Sequence, residues 1–288
     1  MPAKPYLLSL PRTRSSSVIF ASPHSGRDYP AAFLGASVLD ERSIRSSEDA
    51  FVEELIAAAP EFGAPLIAAT VPRAFIDLNR AAEELDPALV EGVGRPAHNP
   101  RITSGLGVIP RVVANGRAIY RGKIGRAEAE ARIAAHWQPY HARLRALVEE
   151  ALEGFGEAIL VDCHSMPHEA IEQVGPAGAP RPDVVLGDRF GAAASAEIVE
   201  RIEAAFSGAG LRVARNAPFA GAYVAQAYGR PSRGAHAVQV EIDRALYMDE
   251  RTIARSADFE AFRALMTSVV AEIAGIGRGG EARPLAAE

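Results

Sequence analysis

Two histidines in this sequence each follow a short apolar run, and each is followed by a serine. His24 lies in "VIFASPHSG" and His164 lies in "ILVDCHS". Continuous apolar runs of this length, bounded by turn residues, predict strands that are buried on both faces. Ligands of open α/β sheets bind beyond the carboxyl ends of the strands, so the two imidazoles are candidates for one shared site. A single histidine in such a place is more often a structural hydrogen-bonding residue, and only the pair favours a site.

A carboxylate beside two histidines would complete a metal site with three protein ligands and one position open to water. The stretch "SSEDAFVEEL" offers Glu48 and Asp49. Acids at the start of a helix also stabilise it through its dipole, which is the structural alternative for both residues. Asp162 lies on the same face of an extended strand as His164, so it is a further candidate, either as a ligand or as a residue that orients one.

The stretch "HAVQVEIDR" alternates between apolar and polar residues. In an extended strand Val238 and Val240 lie on one face, and Gln239 and Glu241 lie on the other. An acid within an otherwise apolar strand is strongly unfavourable unless it is paired, exposed or functional. On a face turned towards a metal, Glu241 would suit a general base, whereas a salt bridge to a nearby arginine is the structural alternative.

Two arginine-containing stretches are candidates for binding an anion. "RAFIDLNR" places Asn79 and Arg80 at the end of an apolar run, and "VLGDRFG" places Arg189 between glycines. A guanidinium group binds a carboxylate through two parallel hydrogen bonds, and a neighbouring amide can add another. The structural alternatives are a solvated surface arginine for Arg80 and the entry turn of a helix for Arg189.

The elements that position these residues alternate between strands and helices, which predicts a layered α/β domain. Pro139 is expected to kink or break the longest helix. We predict strands over about 18–21, 64–71, 158–162, 212–214 and 235–243, and helices over about 47–62, 126–152, 191–206 and 249–276.

Two regions do not follow this alternation, although the whole chain of residues 1–288 is predicted to form a single domain. Residues 83–116 are rich in Gly, Pro and Arg without clear periodicity, which is typical of a substrate loop. The tail from about residue 275 is expected to be flexible.

The composition narrows the class of protein. The chain has 288 residues with 48% hydrophobic and 23% charged residues, which is typical of a globular protein with a large core. Its net charge of −5 argues against a nucleic-acid-binding protein. Cys163 is the only cysteine, no apolar run is long enough for a membrane helix, and no signal peptide is recognisable, so we expect a cytoplasmic protein. The sequence gives no indication of the oligomeric state.

Six motifs in this sequence together resemble the N-formylglutamate amidohydrolase family. In order they are "PHSGRDYP", "SEDAFVEEL", "DLNR", "VDCHSMP", "LGDRFG" and "QVEIDRALYMDE". The resemblance implies a three-layer α/β/α fold with a central mixed β-sheet, similar to that of zinc carboxypeptidases. It also implies a metal-dependent enzyme, with zinc as the expected metal, that cleaves N-formyl-L-glutamate to formate and glutamate during histidine degradation.

The resemblance assigns metal ligands to His24 and His164 together with one carboxylate. Asp49 matches the family pattern best for that carboxylate, and Glu48 is the alternative. Zinc carboxypeptidases have a glutamate ligand three residues after the first histidine. Arg27 occupies that position here, so the carboxylate must come from elsewhere in the chain.

The resemblance also implies the remaining roles. Glu241 matches the general base, and the pair Asn79 and Arg80 resembles the pair that holds a substrate carboxylate. Arg189 is expected to contact the second carboxylate or the oxyanion. Two other functions remain open, namely a related deacylase or carboxypeptidase-like hydrolase acting on another N-acyl amino acid, and a non-catalytic protein that binds an anionic ligand.

Overall fold

The computed structural model describes residues 4–94, 99–172 and 181–278. The strands are β1 (Tyr6–Ser9), β2 (Val18–Ser22), β3 (Leu66–Ala69), β4 (Ala158–Met166), β5 (Val184–Gly187), β6 (Val213–Arg215), β7 (Ala235–Asp243), β8 (Met248–Asp249) and β9 (Ala254–Arg255). The first seven form the central sheet, in the order β1-β3-β2-β4-β7-β5-β6. β3, β2, β4 and β7 run parallel to one another, whereas β1 and β5 are antiparallel to their neighbours β3 and β7.

Helices cover both faces of this sheet. They are α1 (Ala31–Ala36), α2 (Glu41–Ile44), α3 (Val52–Leu55), α4 (Pro100–Thr103), α5 (Arg126–Arg132), α6 (Gln138–Phe155), α7 (Ala196–Gly208), α8 (Tyr223–Tyr228) and α9 (Phe259–Ile276). Short 3₁₀ turns lie at Ala59–Phe62, Ala114–Gly116, His168–Ile171, Pro231–Arg233 and Arg244–Leu246, and a π turn lies at Ile133–Trp137. No helix among the described residues is both long and apolar enough to cross a membrane.

The central strands are buried on both faces, and their alternate residues belong to two separate cores. Phe20 and Val161 pack in the core that contains α3, α7 and α9. Ile19 and Leu160 pack on the opposite face, in the core that contains α5 and α6. The predicted α/β/α architecture with a mixed sheet is therefore confirmed, and the continuous apolar runs are explained by burial on both faces.

The predicted helix over 47–62 is wrong in extent. The structure has only the four-residue helix α3 and a 3₁₀ turn at Ala59–Phe62. The backbone N–H of Asp49 donates to the carbonyl of His24 over 3.1 Å, and Phe51 adopts a left-handed conformation with φ 67°. This turn ties Asp49 to the end of β2 and places the acid before the first residue of α3. Stabilisation of a helix dipole therefore does not explain why an acid stands at this position.

The predicted long helix over 126–152 is confirmed and extends to Phe155 as α5, the π turn and α6. Pro139 follows the π turn closely, and the backbone stays helical through Trp137 and Gln138, so the helix is locally distorted beside Pro139 but is not broken. The other predicted helices begin later than expected, α7 at Ala196 and α9 at Phe259, because positive-φ residues at 189–191 and the β8–β9 hairpin precede them.

Two predicted irregular regions fall partly outside the described residues. The predicted substrate loop, 83–116, contains α4 and one 3₁₀ turn, and its residues 95–98 are not described. In the predicted flexible tail, α9 continues to Ile276, and residues 279–288 are not described.

Candidate active site

The predicted site residues converge at the carboxyl ends of β2, β4 and β7. His24 follows β2 by two positions, and Asp162 and His164 lie on β4. In the parallel pairing of β4 with β7, Asp162 is opposite Gln239 and His164 is opposite Glu241. All five side chains are buried, so the sheet presents a compact polar face beneath one cavity.

Three buried residues, His24, Asp49 and His164, form a group that could hold a metal ion. Their candidate ligand atoms lie within 4.8 Å of one another. The Nδ1 atoms of both imidazoles face the same oxygen, Asp49 Oδ2, at 3.4 Å for His24 and 2.9 Å for His164. Two imidazole nitrogens and one carboxylate oxygen are a donor set that suits Zn²⁺ with one position left for water.

Hydrogen bonds on the far side of each imidazole set its tautomer. His24 Nε2 donates to Asp77 Oδ1 over 2.7 Å, and His164 Nε2 donates to Asp162 Oδ2 over 2.9 Å. A neutral imidazole held in this way carries no proton on Nδ1, so that atom can bind a metal ion, and a hydrogen bond on the far nitrogen is usual for metal-binding histidines. His24 Nδ1 has no hydrogen-bond partner among the described residues, and this orphaned buried atom fits a bound cation.

The charges around the site also favour a cation. Burial alone would raise the pKa of Asp49, but the neighbouring imidazoles of His164 and His24 hold it well below 3.8. Burial alone would lower the pKa of His164, but Asp162 and Asp49 raise it well above 6.5. The two acids thus favour an additional proton on the His164 imidazole. A divalent cation can bind to such a buried cluster in place of that proton.

Glu48 points away from the histidines. Its carboxylate accepts a hydrogen bond of 2.5 Å from Tyr29 Oη and pairs with Arg45 Nε at 3.0 Å. The structure therefore brings Asp49, and not Glu48, to the metal-ligand group. Asp162 lies behind His164, where it orients the imidazole.

Glu241 lies on the sheet face beside the candidate ligands and lines the cavity. Burial raises its pKa to about 7, an effect that Asp49 strengthens and that His164 and Arg73 oppose. Gln239 Nε2 donates to Glu241 Oε1 over 2.7 Å. A buried carboxyl group whose pKa is near neutrality is suited to accept a proton from water.

Asn79 and Arg80 also line the cavity. Asn79 Nδ2 lies 3.3 Å from Gln239 Oε1, and Asn79 Oδ1 accepts the backbone N–H of Val224 over 2.7 Å, so this amide ties three elements together. Arg80 donates to the carbonyls of Leu106 and Asn79 through Nε and Nη1. Arg80 Nε lies 4.0 Å from Asp77 Oδ2.

Arg189 is not among the residues that line the cavity. Its backbone N–H donates to the carbonyl of Ala220 over 2.7 Å, and residues 218–222 form the cavity wall. The predicted substrate contact of Arg189 is therefore not visible in the geometry, and it stays a prediction.

The cavity has a volume of about 620 Å³, and three arginines that the sequence did not indicate as site residues also line it, namely Arg73, Arg101 and Arg244. Arg73 Nε donates to Asp77 Oδ2 over 3.1 Å, and Arg244 Nη2 donates to Asp49 Oδ1 over 3.0 Å. Arg101 is exposed on α4, in the predicted substrate loop. Arg73 and Arg244 lie within the motifs "RAFIDLNR" and "QVEIDRALYMDE", so these motifs already contained them. Tertiary contacts decide that their side chains point into the cavity, which the motifs alone do not show.

Known proteins resemble this chain over most of its length. The family model described as N-formylglutamate amidohydrolase matches residues 16–248. An N-formylglutamate deformylase of Pseudomonas aeruginosa is 30% identical over 281 residues, which cover 94% of this chain and 97% of that protein. An N-formylglutamate deformylase of Pseudomonas putida is 29% identical over 240 residues, covering 81% and 82% of the two chains.

Solved structures agree as well. The crystal structure of N-formylglutamate amidohydrolase from Ralstonia eutropha has a TM-score of 0.89 and 36% identity, covering 96% of this chain and 99% of that chain. A gene product of Agrobacterium tumefaciens shares the fold, with a TM-score of 0.62 and 18% identity over 93% of this chain and 94% of that chain. The match of the family model over most of the sequence decides the assignment: this chain belongs to the N-formylglutamate amidohydrolase family.

Proposed function

We propose that this protein hydrolyses N-formyl-L-glutamate to formate and L-glutamate with the help of a divalent metal ion. The observation that carries the proposal is the convergence of two imidazole Nδ1 atoms on Asp49 Oδ2, beside the buried carboxyl group of Glu241. The names of the relatives, deformylase and amidohydrolase, support the same reaction.

His24, Asp49 and His164 would hold the metal ion. A divalent cation bound there supplies Lewis acidity for the formyl carbonyl group and lowers the pKa of a bound water towards about 7. Asp77 and Asp162 keep the two imidazoles in the tautomer that leaves Nδ1 unprotonated.

Glu241 would act as the general base and then as the general acid. Its carboxylate accepts the proton of the water that attacks the formyl carbon, and it delivers that proton to the amine nitrogen of glutamate as the C–N bond breaks. Gln239 holds the Glu241 carboxylate in place by its hydrogen bond to Oε1.

The arginines of the cavity would select an anionic substrate. Arg80 can bind one carboxylate of N-formylglutamate, since its hydrogen bonds of 2.9 and 2.7 Å go to neutral backbone carbonyls and leave its charge to the cavity. Arg73 lies near Glu241 and Asp77 and can donate to the oxyanion that forms on the formyl oxygen. The second carboxylate is then left to Arg189, as the sequence predicts, or to Arg101 of the cavity wall.

We further propose zinc as the metal, a place in histidine degradation and a cytoplasmic location. The His₂–carboxylate donor set supports zinc. The sequence resemblance supports the pathway, and the single cysteine supports a reducing compartment.

The direct test is release of free glutamate by the purified protein from N-formyl-L-glutamate, N-acetyl-L-glutamate and a glutamyl dipeptide, with formate measured for the first substrate. We expect release of formate that stops with a chelator and returns on adding Zn²⁺. Faster cleavage of the acetyl compound or the dipeptide would replace the proposal with another deacylase or a peptidase. A metal-loaded protein without turnover on any of the three would leave only the role of an anion-binding protein.

A further inference from the structure

The segment of residues 72–80 carries Asp77, Asn79 and Arg80 into the site without regular secondary structure. Buried carbonyl groups in such a segment need hydrogen-bond partners from elsewhere. Three of its carbonyls receive them from side chains of a single helical run. The donors are Arg132 Nη1 to the carbonyl of Phe75 at 3.2 Å, His141 Nε2 to that of Leu78 at 2.8 Å and Trp137 Nε1 to that of Arg80 at 2.8 Å.

The π turn at Ile133–Trp137 places these three donors on one side of the helix. In an uninterrupted α-helix, residues four apart follow one another along a face. Here the intervals from Arg132 to Trp137 and from Trp137 to His141 are five and four residues. The extra residue of the π turn compensates for the longer first interval, and single π turns of this kind are frequent at functional sites.

The protonation of His141 follows from its partners. The carbonyl of Leu78 can only accept, so Nε2 carries the proton, and Nδ1 then accepts the hydroxyl of Tyr228 at 2.9 Å. Burial lowers the pKa of His141 to about 4, which keeps the imidazole neutral. The ring also lies 4.1 Å, between centroids, from that of Trp137, so the two donors pack as a unit.

We propose that Trp137 and His141 are positioning residues that hold the Asn79–Arg80 pair in the orientation needed to bind a substrate carboxylate. They touch the backbone of residues 78 and 80 and do not line the cavity. The inference rests on the proposed function, because it assigns to Arg80 the carboxylate of the N-formylglutamate substrate.

The test compares variants that remove a donor with variants that keep one. Trp137→Phe and His141→Phe keep an aromatic ring but leave a buried carbonyl without its partner. We expect each to raise KM for N-formylglutamate about tenfold, to change kcat less than about threefold and to leave the zinc content at the wild-type value. His141→Gln retains an N–H near the position of Nε2 and should restore most of the wild-type KM.

Tyr140→Phe is the matched control. Tyr140 is a buried aromatic residue of the same helix, and its hydroxyl has no hydrogen-bond partner among the described residues. We expect wild-type kinetics for this variant, because it removes no bond to residues 75–80.

Two amide analogues separate positioning from general loss of packing. N-formylglutamine lacks the side-chain carboxylate, and N-formylisoglutamine lacks the α-carboxylate. The penalty of Trp137→Phe on kcat/KM should vanish for the one analogue that lacks the carboxylate held by Arg80, and should persist for the other. An equal penalty on all three compounds, or equal impairment of His141→Gln and His141→Phe, would overturn the inference. A wild-type protein that releases no formate would instead refute the proposed function.

Discussion

At the scale of single residues, the site depends on which atom of each histidine carries the proton. Asp77 and Asp162 accept from Nε2 of His24 and His164 and so expose both Nδ1 atoms to Asp49. The two outer acids are as buried as the candidate ligands themselves, which is expected where they orient ligands for a metal.

Glu241→Gln tests the general base. The amide cannot accept the proton of water, so kcat should fall by about 10²–10⁴-fold while zinc content stays near that of the wild type. Glu53 provides the control, because burial also raises its pKa to about 7, although it does not line the cavity. Glu53→Gln should keep wild-type turnover, and near-normal turnover of metal-loaded Glu241→Gln would remove Glu241 from this role.

The dependence of activity on pH should show the same carboxyl group. A general base must be ionised, and burial raises the pKa of Glu241 to about 7, so kcat/KM should fall as the pH falls through the pKa of this residue. The positive charge of a bound metal ion should lower the pH at the midpoint of this fall to below 7. Gln239→Leu removes a donor that favours the ionised carboxylate, so the midpoint should shift to higher pH. An unchanged midpoint would mean that another group titrates.

At the scale of elements, the predictable parts of the site are those fixed by strands. Continuous apolar runs predicted β2 and β4, and an alternating run predicted β7. The three strands together indicated that His24, His164 and Glu241 could meet. Residue types alone could not choose between Asp49 and Glu48, because a turn tied to the carbonyl of His24 decides it, and only the family resemblance favoured Asp49. Local helical periodicity carries no information on such a long-range hydrogen bond.

The loop after β2 offers a test of this coupling between elements. A Cβ on Gly26 would lie 2.1 Å from the backbone carbonyl oxygen of Val71, so the backbone would have to shift to make room for it. Gly26→Ala should therefore destabilise the protein by about 1–3 kcal/mol or more and weaken zinc binding by His24. Gly35→Ala meets no atom within 4 Å and should be neutral or slightly stabilising. Equal denaturation midpoints for the two variants would show that the close contact between Gly26 and the backbone of Val71 does not limit the stability of the protein.

At the scale of the whole molecule, an acidic protein encloses a cavity lined by arginines. The net charge of −5 describes the chain as a whole and does not describe this cavity, which Arg73, Arg80, Arg101 and Arg244 line. The overall charge therefore argues against nucleic acid as a partner class but could not reveal the anionic substrate that the cavity favours.

Metal binding should also be measurable as stability of the whole fold. A ligand that binds only the folded state stabilises it by about 2.7 kcal/mol at 100 times its Kd, which corresponds to a rise in Tm of about 4–5 °C for a chain of this size. We expect that rise when Zn²⁺ is added to chelator-treated protein. Differential scanning calorimetry of the two forms measures it, and identical Tm values would argue against a specific buried site.

The central claim is that His24, Asp49 and His164 together hold the catalytic metal. Isothermal titration of chelator-treated Asp49→Ala and Glu48→Ala with Zn²⁺, paired with formate release from the same samples, tests it most directly. We predict one bound zinc ion per chain and retained turnover for Glu48→Ala, and loss of both for Asp49→Ala. Tight zinc binding with full turnover by Asp49→Ala, and their loss in Glu48→Ala, would contradict it.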